Sequence, residues 1–171
     1  MTPGPTSTTR RWWHWLALSA VVIVLDHITK ALIQQSFMPG ETRFIAPFFN
    51  LVLAFNSGAA FSFLAGAGGW QRPFFIVLTS VVSVFLVWLM RRHPDNRLLC
   101  LALSLILGGA MGNLYDRVML GHVVDFIQLH ARGFYWPAFN VADSAICIGI
   151  GLLFLDMRRK PEKKPAPVLA D

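Results

Sequence analysis

The chain has 171 residues, 55% of them hydrophobic and only 14% charged, whereas a soluble domain of this size carries about 25% charged residues; an ordinary soluble globular fold is excluded. The net charge of +6 does not indicate a nucleic-acid binder. Ten of the 15 basic residues fall in three clusters (Arg10 and Arg11; Arg91, Arg92 and Arg97; Arg158, Arg159, Lys160, Lys163 and Lys164) at the ends of apolar stretches, with no base-reading motif beside them.

The apolar stretches, in chain order, are Leu16–Ile33, Phe74–Met90, Leu98–Leu114 and Phe139–Leu155, each read as a transmembrane helix. Seventeen or eighteen helical residues rise about 26 Å, short of a roughly 30 Å hydrocarbon core, so each helix is expected to extend by a turn into its flanks. The first stretch is read as a retained span rather than a signal peptide, because Asp26, His27 and Lys30 interrupt it and no small-residue cleavage site follows. Asp26 and Lys30 stand at i, i+4 on one helix face, where they can pair, a structural role. Residues 35–73 follow, rich in Phe, Leu and Val and punctuated by Gly, Pro and Asn. Short β-strands over 41–63 are expected, resting on the membrane surface, with GAGGWQRP at 66–73 a flexible lead into the second span.

After the second span comes a short turn from Arg91 to Arg97, then the third span. That span ends in GGAMGN at 108–113, where Gly108 and Gly112 form a GxxxG pair suited to close helix approach. Asn113, Asp116 and Arg117 stand where it exits. The loop at 115–138 holds His122, Asp125, His130 and Arg132. Asp143 lies about four residues into the fourth span. Cys100 and Cys147 sit in the third and fourth spans and are read as small packing residues. The ends, 1–11 and 160–171, are Pro-, Thr- or Lys-rich and expected to be disordered. The whole reads as an all-α membrane protein of four helices with a small β-sheet element in its first outer loop. Residues 1–160 make one membrane domain and 161–171 a cytoplasmic tail. The positive-inside rule puts both termini in the cytoplasm and the loops at 35–73 and 115–138 outside.

Asp125 in VVDFI and Asp143 in FNVAD are carboxylates in apolar settings. Brought together, two such groups share one proton: the ionised member activates water, and the protonated member polarises a carbonyl and later serves the leaving amine. The plainer reading makes Asp125 a solvated loop residue and Asp143 a charge favoured by a helix N-terminus. Asn56 and Asn140 suit either of two roles, ordering the carboxylates or a substrate backbone, or capping turns. His122, Asp125 and His130 share a loop, but there is no HExxH, and no GxGxxG, P-loop or GxSxG occurs. No metal or other cofactor is expected.

Five blocks in order resemble the lipoprotein signal peptidases, the type II signal peptidases of bacteria. They are LDHITK at 25–30, FNSGAAFS at 55–62, GGAMGNLYDR at 108–117, GHVVDFI at 121–127 and FNVADSAI at 139–146. The resemblance covers nearly all of the chain outside the two ends. It implies an aspartic endopeptidase of the bacterial inner membrane, with its site at the periplasmic face. Its substrates would be prolipoproteins carrying a diacylglyceryl group, cut just before the modified cysteine; membrane lipids are its other partners. The catalytic pair maps onto Asp125 and Asp143. Asp26, Asn56, Gly108, Asn113, Asp116, Arg117 and Asn140 match positions that support structure or bind substrate. The family often has glutamine where His27 stands. Two other readings compete: a proton-relaying transporter subunit, which needs acidic groups along a path across the bilayer, and an inactive binding homologue, expected to have lost one aspartate.

Overall fold

The computed structural model describes residues 12–58 and 69–158. The expectations for the two ends and for the part of the first outer loop at 59–68 lie outside the described residues. Each apolar stretch is a helix: α1 is His14–Ser36, α2 Gln71–Arg92, α3 Arg97–Met119 and α4 Val141–Met157. The first three have 22 or 23 residues, a rise of about 33–35 Å, and are apolar enough to cross a membrane. With 17 residues, α4 rises only about 25 Å. It starts later than hydropathy suggests because Asn140 caps it: the Asn140 side chain accepts from the backbone N–H of Asp143, and the Asp143 side chain accepts from that of Asn140.

Close packing explains why α3 is central. It is buried over 61% of its apolar window, against 22% for α1 and 17% for α2. A Cβ on Gly108 would stand 2.7 Å from Val22 Cβ, and one on Gly112 2.7 Å from Asp26 Oδ2, so this pair lets α1 lie against α3. One residue round the helix, Gly109 faces the Ala142 carbonyl of α4. Gly149 of α4 answers it, with room for no Cβ beside Ile106 Cγ1 at 2.6 Å. Both Gly109 and Gly149 lie outside the GxxxG pair that the sequence pattern singles out.

The sheet departs from expectation in its origin. Strands β1 (Thr42–Ala46) and β2 (Phe49–Asn56) come from the first outer segment, but β3 (Val123–Ala131) and β4 (Phe134–Tyr135) come from the second, in the antiparallel order β1-β2-β3-β4. Asp125 is therefore on a central strand, not a loop, and the fold is helical with a four-stranded sheet rather than all-α. The register between β2 and β3 slips between Leu51 and Ala54, which pairs Ala54 with Asp125. Such an irregularity re-aims side chains locally. Arg132 and Gly133, with φ of 49° and 83°, make the two-residue turn into β4.

Two apolar clusters hold the ends of the molecule. Leu86, Met90, Leu99, Cys100, Leu103 and Leu107 pack between α2 and α3. Ile33, Leu53, Val124 and Phe126 join the sheet to α1, with Leu51 partly buried beside them. Val21, Leu25, Val77, Val81 and Phe85 are exposed on α1 and α2, the lipid-facing surface that a membrane span requires and that water would not tolerate.

Candidate active site

Between the two clusters, where α3 ends and α4 begins, the chain gathers its buried polar groups. Asp125 is 2% exposed. Asn56 Nδ2, at the end of β2, donates to Asp125 Oδ2 at 3.0 Å, and Asn140 Nδ2 donates to Oδ1 at 2.7 Å. The same asparagines also cap: Asn56 Oδ1 accepts from the Gly58 N–H and Asn140 Oδ1 from the Asp143 N–H, both at 2.9 Å. The two roles left open for these residues are thus filled at once.

Asp143 stands in the first turn of α4. Its Oδ1 accepts from Asn113 Nδ2 at 2.8 Å and its Oδ2 from the Asn140 N–H at 3.3 Å. Asn140 therefore touches both carboxylates. Burial, first, and the negative charge of Asp143, second, push the Asp125 carboxyl up from 3.8 to about 7; the two asparagine amides pull the other way and do not prevail.

Beneath this pair lies an ionic layer. Lys30 Nζ is 2.7 Å from Asp26 Oδ2 and 2.8 Å from Asp116 Oδ2, and it donates to Asn113 Oδ1 at 3.0 Å. Asp26 Oδ1 accepts from the Ala142 N–H at 2.9 Å, which fixes the first turn of α4 to α1. Asp116 Oδ2 accepts from the Val124 N–H at 3.3 Å, next to Asp125. Arg117 donates to the carbonyls of Gly58 at 2.7 Å and Asn113 at 3.1 Å. Charges this deep persist only when paired and hydrogen-bonded. Asn113 is the junction: it accepts from Lys30 and Asn140 and donates to Asp143.

The structure thus brings Asp26, Lys30, Asn56, Asn113, Asp116, Arg117, Asp125, Asn140 and Asp143 into one region. Gly108 stays a packing residue one turn away. His122 packs on Phe55 with ring centroids 4.4 Å apart, and His130 stacks on Tyr135 at 5.3 Å. Among the described residues no group of three His, Cys, Asp or Glu is placed to hold a metal ion.

A groove of about 630 Å³ opens at Asp143, lined by Phe48, Phe134, Trp136, Phe139, Cys147 and Ile148 among others. Sequence reasoning did not find this wall. Cys147, read as a small packing residue, is exposed and lines the groove. Its i, i+4 spacing from Asp143 was the signal available.

Residues 18–159 match the family model for signal peptidase (SPase) II. A lipoprotein signal peptidase of Ralstonia nicotianae is 58% identical over 146 residues, covering 85% of this chain and 84% of its own. That of Cupriavidus necator is 56% identical over 146 residues, covering 85% and 83%. Among solved structures, a bacterial membrane enzyme determined by the in meso method at 2.3 Å resolution superposes with a TM-score of 0.75 at 31% identity, over 88% of this chain and 94% of that one. With a polar site between apolar helices and these likenesses along most of its length, the chain belongs to the signal peptidase II family.

Proposed function

We propose that this protein is an aspartic endopeptidase that removes the signal peptide from diacylglyceryl-modified prolipoproteins, cutting just before the modified cysteine. Asp125 and Asp143 are its catalytic pair. The observation that carries this reading is the pair itself: a buried carboxyl group at Asp125 and a half-buried one at Asp143, joined through Asn140, at the mouth of an apolar groove. A metal or organic cofactor is not needed.

With its carboxyl at about 7, Asp125 holds the proton of the resting pair at neutral pH. Ionised Asp143 takes a proton from water as the water oxygen attacks the scissile carbonyl carbon. Asp125 passes its proton to the carbonyl oxygen, giving a neutral gem-diol. When the C–N bond breaks, the proton held by Asp143 goes to the leaving nitrogen. A diol proton returns to Asp125, and the products are one carboxylic acid and one amine. Asn56, Asn113 and Asn140 keep the two carboxyl groups aimed throughout.

In this reading α4 is a fourth span, packed on α3 with Ile148, Ile150, Phe154 and Leu155 outward. Residues 1–160 make one domain, the termini are cytoplasmic, and the site faces the periplasm of the cell inner membrane. Among the described residues the buried Asp, Lys and Arg gather around the site, with only Asp26 as deep as the middle of a helix, which disfavours a proton relay across the bilayer. The test is incubation in detergent with a diacylglyceryl-modified prolipoprotein, read by mass. Products that part at the modified cysteine, with unmodified precursor left whole and a chelator without effect, are expected. Cleavage elsewhere, or none, contradicts the proposal.

A further inference from the structure

A second groove lies toward the other end of the helices. Both α1 and α2 pack on α3 but scarcely touch each other, which leaves about 880 Å³ between them, within the size range of ligand sites. Leu16, Ile23, Val84, Val87, Leu107 and Met111 make its walls apolar. The small side chains of Ser19, Ala20 and Ser83 keep it open. Ser19 spends its hydroxyl on the Ser104 carbonyl at 2.9 Å, and the Ser83 hydroxyl is buried without a partner.

The lining changes at one end only. There Arg91 and Arg92, the last residues of α2, reach the groove beside Trp88. The Arg92 guanidinium lies 5.5 Å over the Trp88 ring and that of Arg91 5.3 Å over the Trp12 ring. Tryptophans of this kind mark the membrane–water interface. Guanidinium groups there bind phosphate oxygens, often bidentately.

We infer that this groove binds an anionic phospholipid, its acyl chains between α1 and α2 and its phosphate on Arg91 and Arg92. The shape asks for an amphiphile, and the two arginines ask for a negative head. The competing occupant, the apolar helix of a signal peptide, carries a basic segment at its cytoplasmic end. That segment would meet Arg91 and Arg92 as like charges. The inference rests on α1, α2 and α3 crossing the membrane and not on the reaction at Asp125 and Asp143.

Native mass spectrometry of the purified protein, with equal amounts of dioleoyl phosphatidylglycerol and dioleoyl phosphatidylcholine, tests it. Phosphatidylglycerol should be retained about 30-fold better, roughly five-fold per arginine. The double variant Arg91→Gln, Arg92→Gln should lose that preference and still hold lipid. Ala20→Phe, which fills the groove from an exposed position, should lose both lipids. These variants should keep normal turnover, since none of the three residues approaches the aspartates. Glycerol phosphate, a head without chains, should not compete. Equal retention of the two lipids by the wild type overturns the inference, as does an unchanged preference in the double variant. A photo-reactive residue at position 84 that captures the signal peptide instead of lipid also overturns it.

Discussion

At the scale of single residues, the site depends on a carboxyl group held far from water. Because Asp125 titrates at about 7 when folded and 3.8 is its ordinary value, the folded protein binds this proton more tightly between those limits. Stability contributed by the protonated form is therefore lost as pH rises from about 4 to about 7 and is level above that. The melting temperature of the wild type, taken relative to Asp125→Asn, should fall across this window. Cleavage should decline with an apparent pKa of about 7 on the alkaline side, as the shared proton leaves. A rate that stays flat to pH 9 would contradict the assignment of that proton. The two aspartates were legible in the sequence because each stands in an apolar run. Asn56, Asn113 and Asn140 stood out as supporting positions, but their partners did not: Asn113 meets Lys30 and Asp143 across sequence separations of 83 and 30 residues, which no local pattern displays.

At the scale of elements, hydropathy located all four helices, since a period of apolar residues this long has no other explanation. It did not locate β3. Val123 to Phe126 are buried in succession, so the strand lacks the alternation that marks a half-buried one, and it was read with its loop. Helix approach gives a sharp prediction. Gly112→Val places its branches against Asp26 and should destabilise the protein by about 1–3 kcal/mol or more, the usual cost of overpacking. Gly151→Ala, at a position with open space, should be neutral or stabilising by up to about 1 kcal/mol. Thermal melts in detergent compare them; equal melting temperatures would show that α1 does not lie on α3 as described. The sheet offers another test. The strands expected over 41–63 were to rest on the membrane surface; of their apolar residues Leu51 is partly buried in the core, and the outward set is Phe44, Ile45, Phe48 and Phe55. Replacing Phe44 and Phe48 by serine should raise KM several-fold with little change in kcat, because both side chains are exposed, Phe48 lines the groove at Asp143, and neither can hydrogen-bond a carboxylate. A loss confined to kcat would argue against a binding platform.

At the scale of the whole molecule, the exposed basic cluster of α2 and α3 and the candidate site lie at opposite ends. Arg91, Arg92 and Arg97 mark one end of the helices, and the aspartates and the sheet occupy the other. Reporter fusions at residues 95 and 130 should therefore report opposite sides of the membrane, 95 in the cytoplasm and 130 outside; an outward signal at 95 would invert the topology. The proposed mechanism makes the two aspartates one catalytic unit. Its most direct test is the rate of prolipoprotein cleavage by purified Asp125→Asn, Asp143→Asn and the double variant, each shown by its melting transition to be folded. Asparagine keeps the size of aspartate but cannot ionise or carry the shared proton. Each single variant should lose essentially all activity and the double variant little more, since residues that act together are strongly non-additive. Near wild-type cleavage by either single variant would contradict the claim.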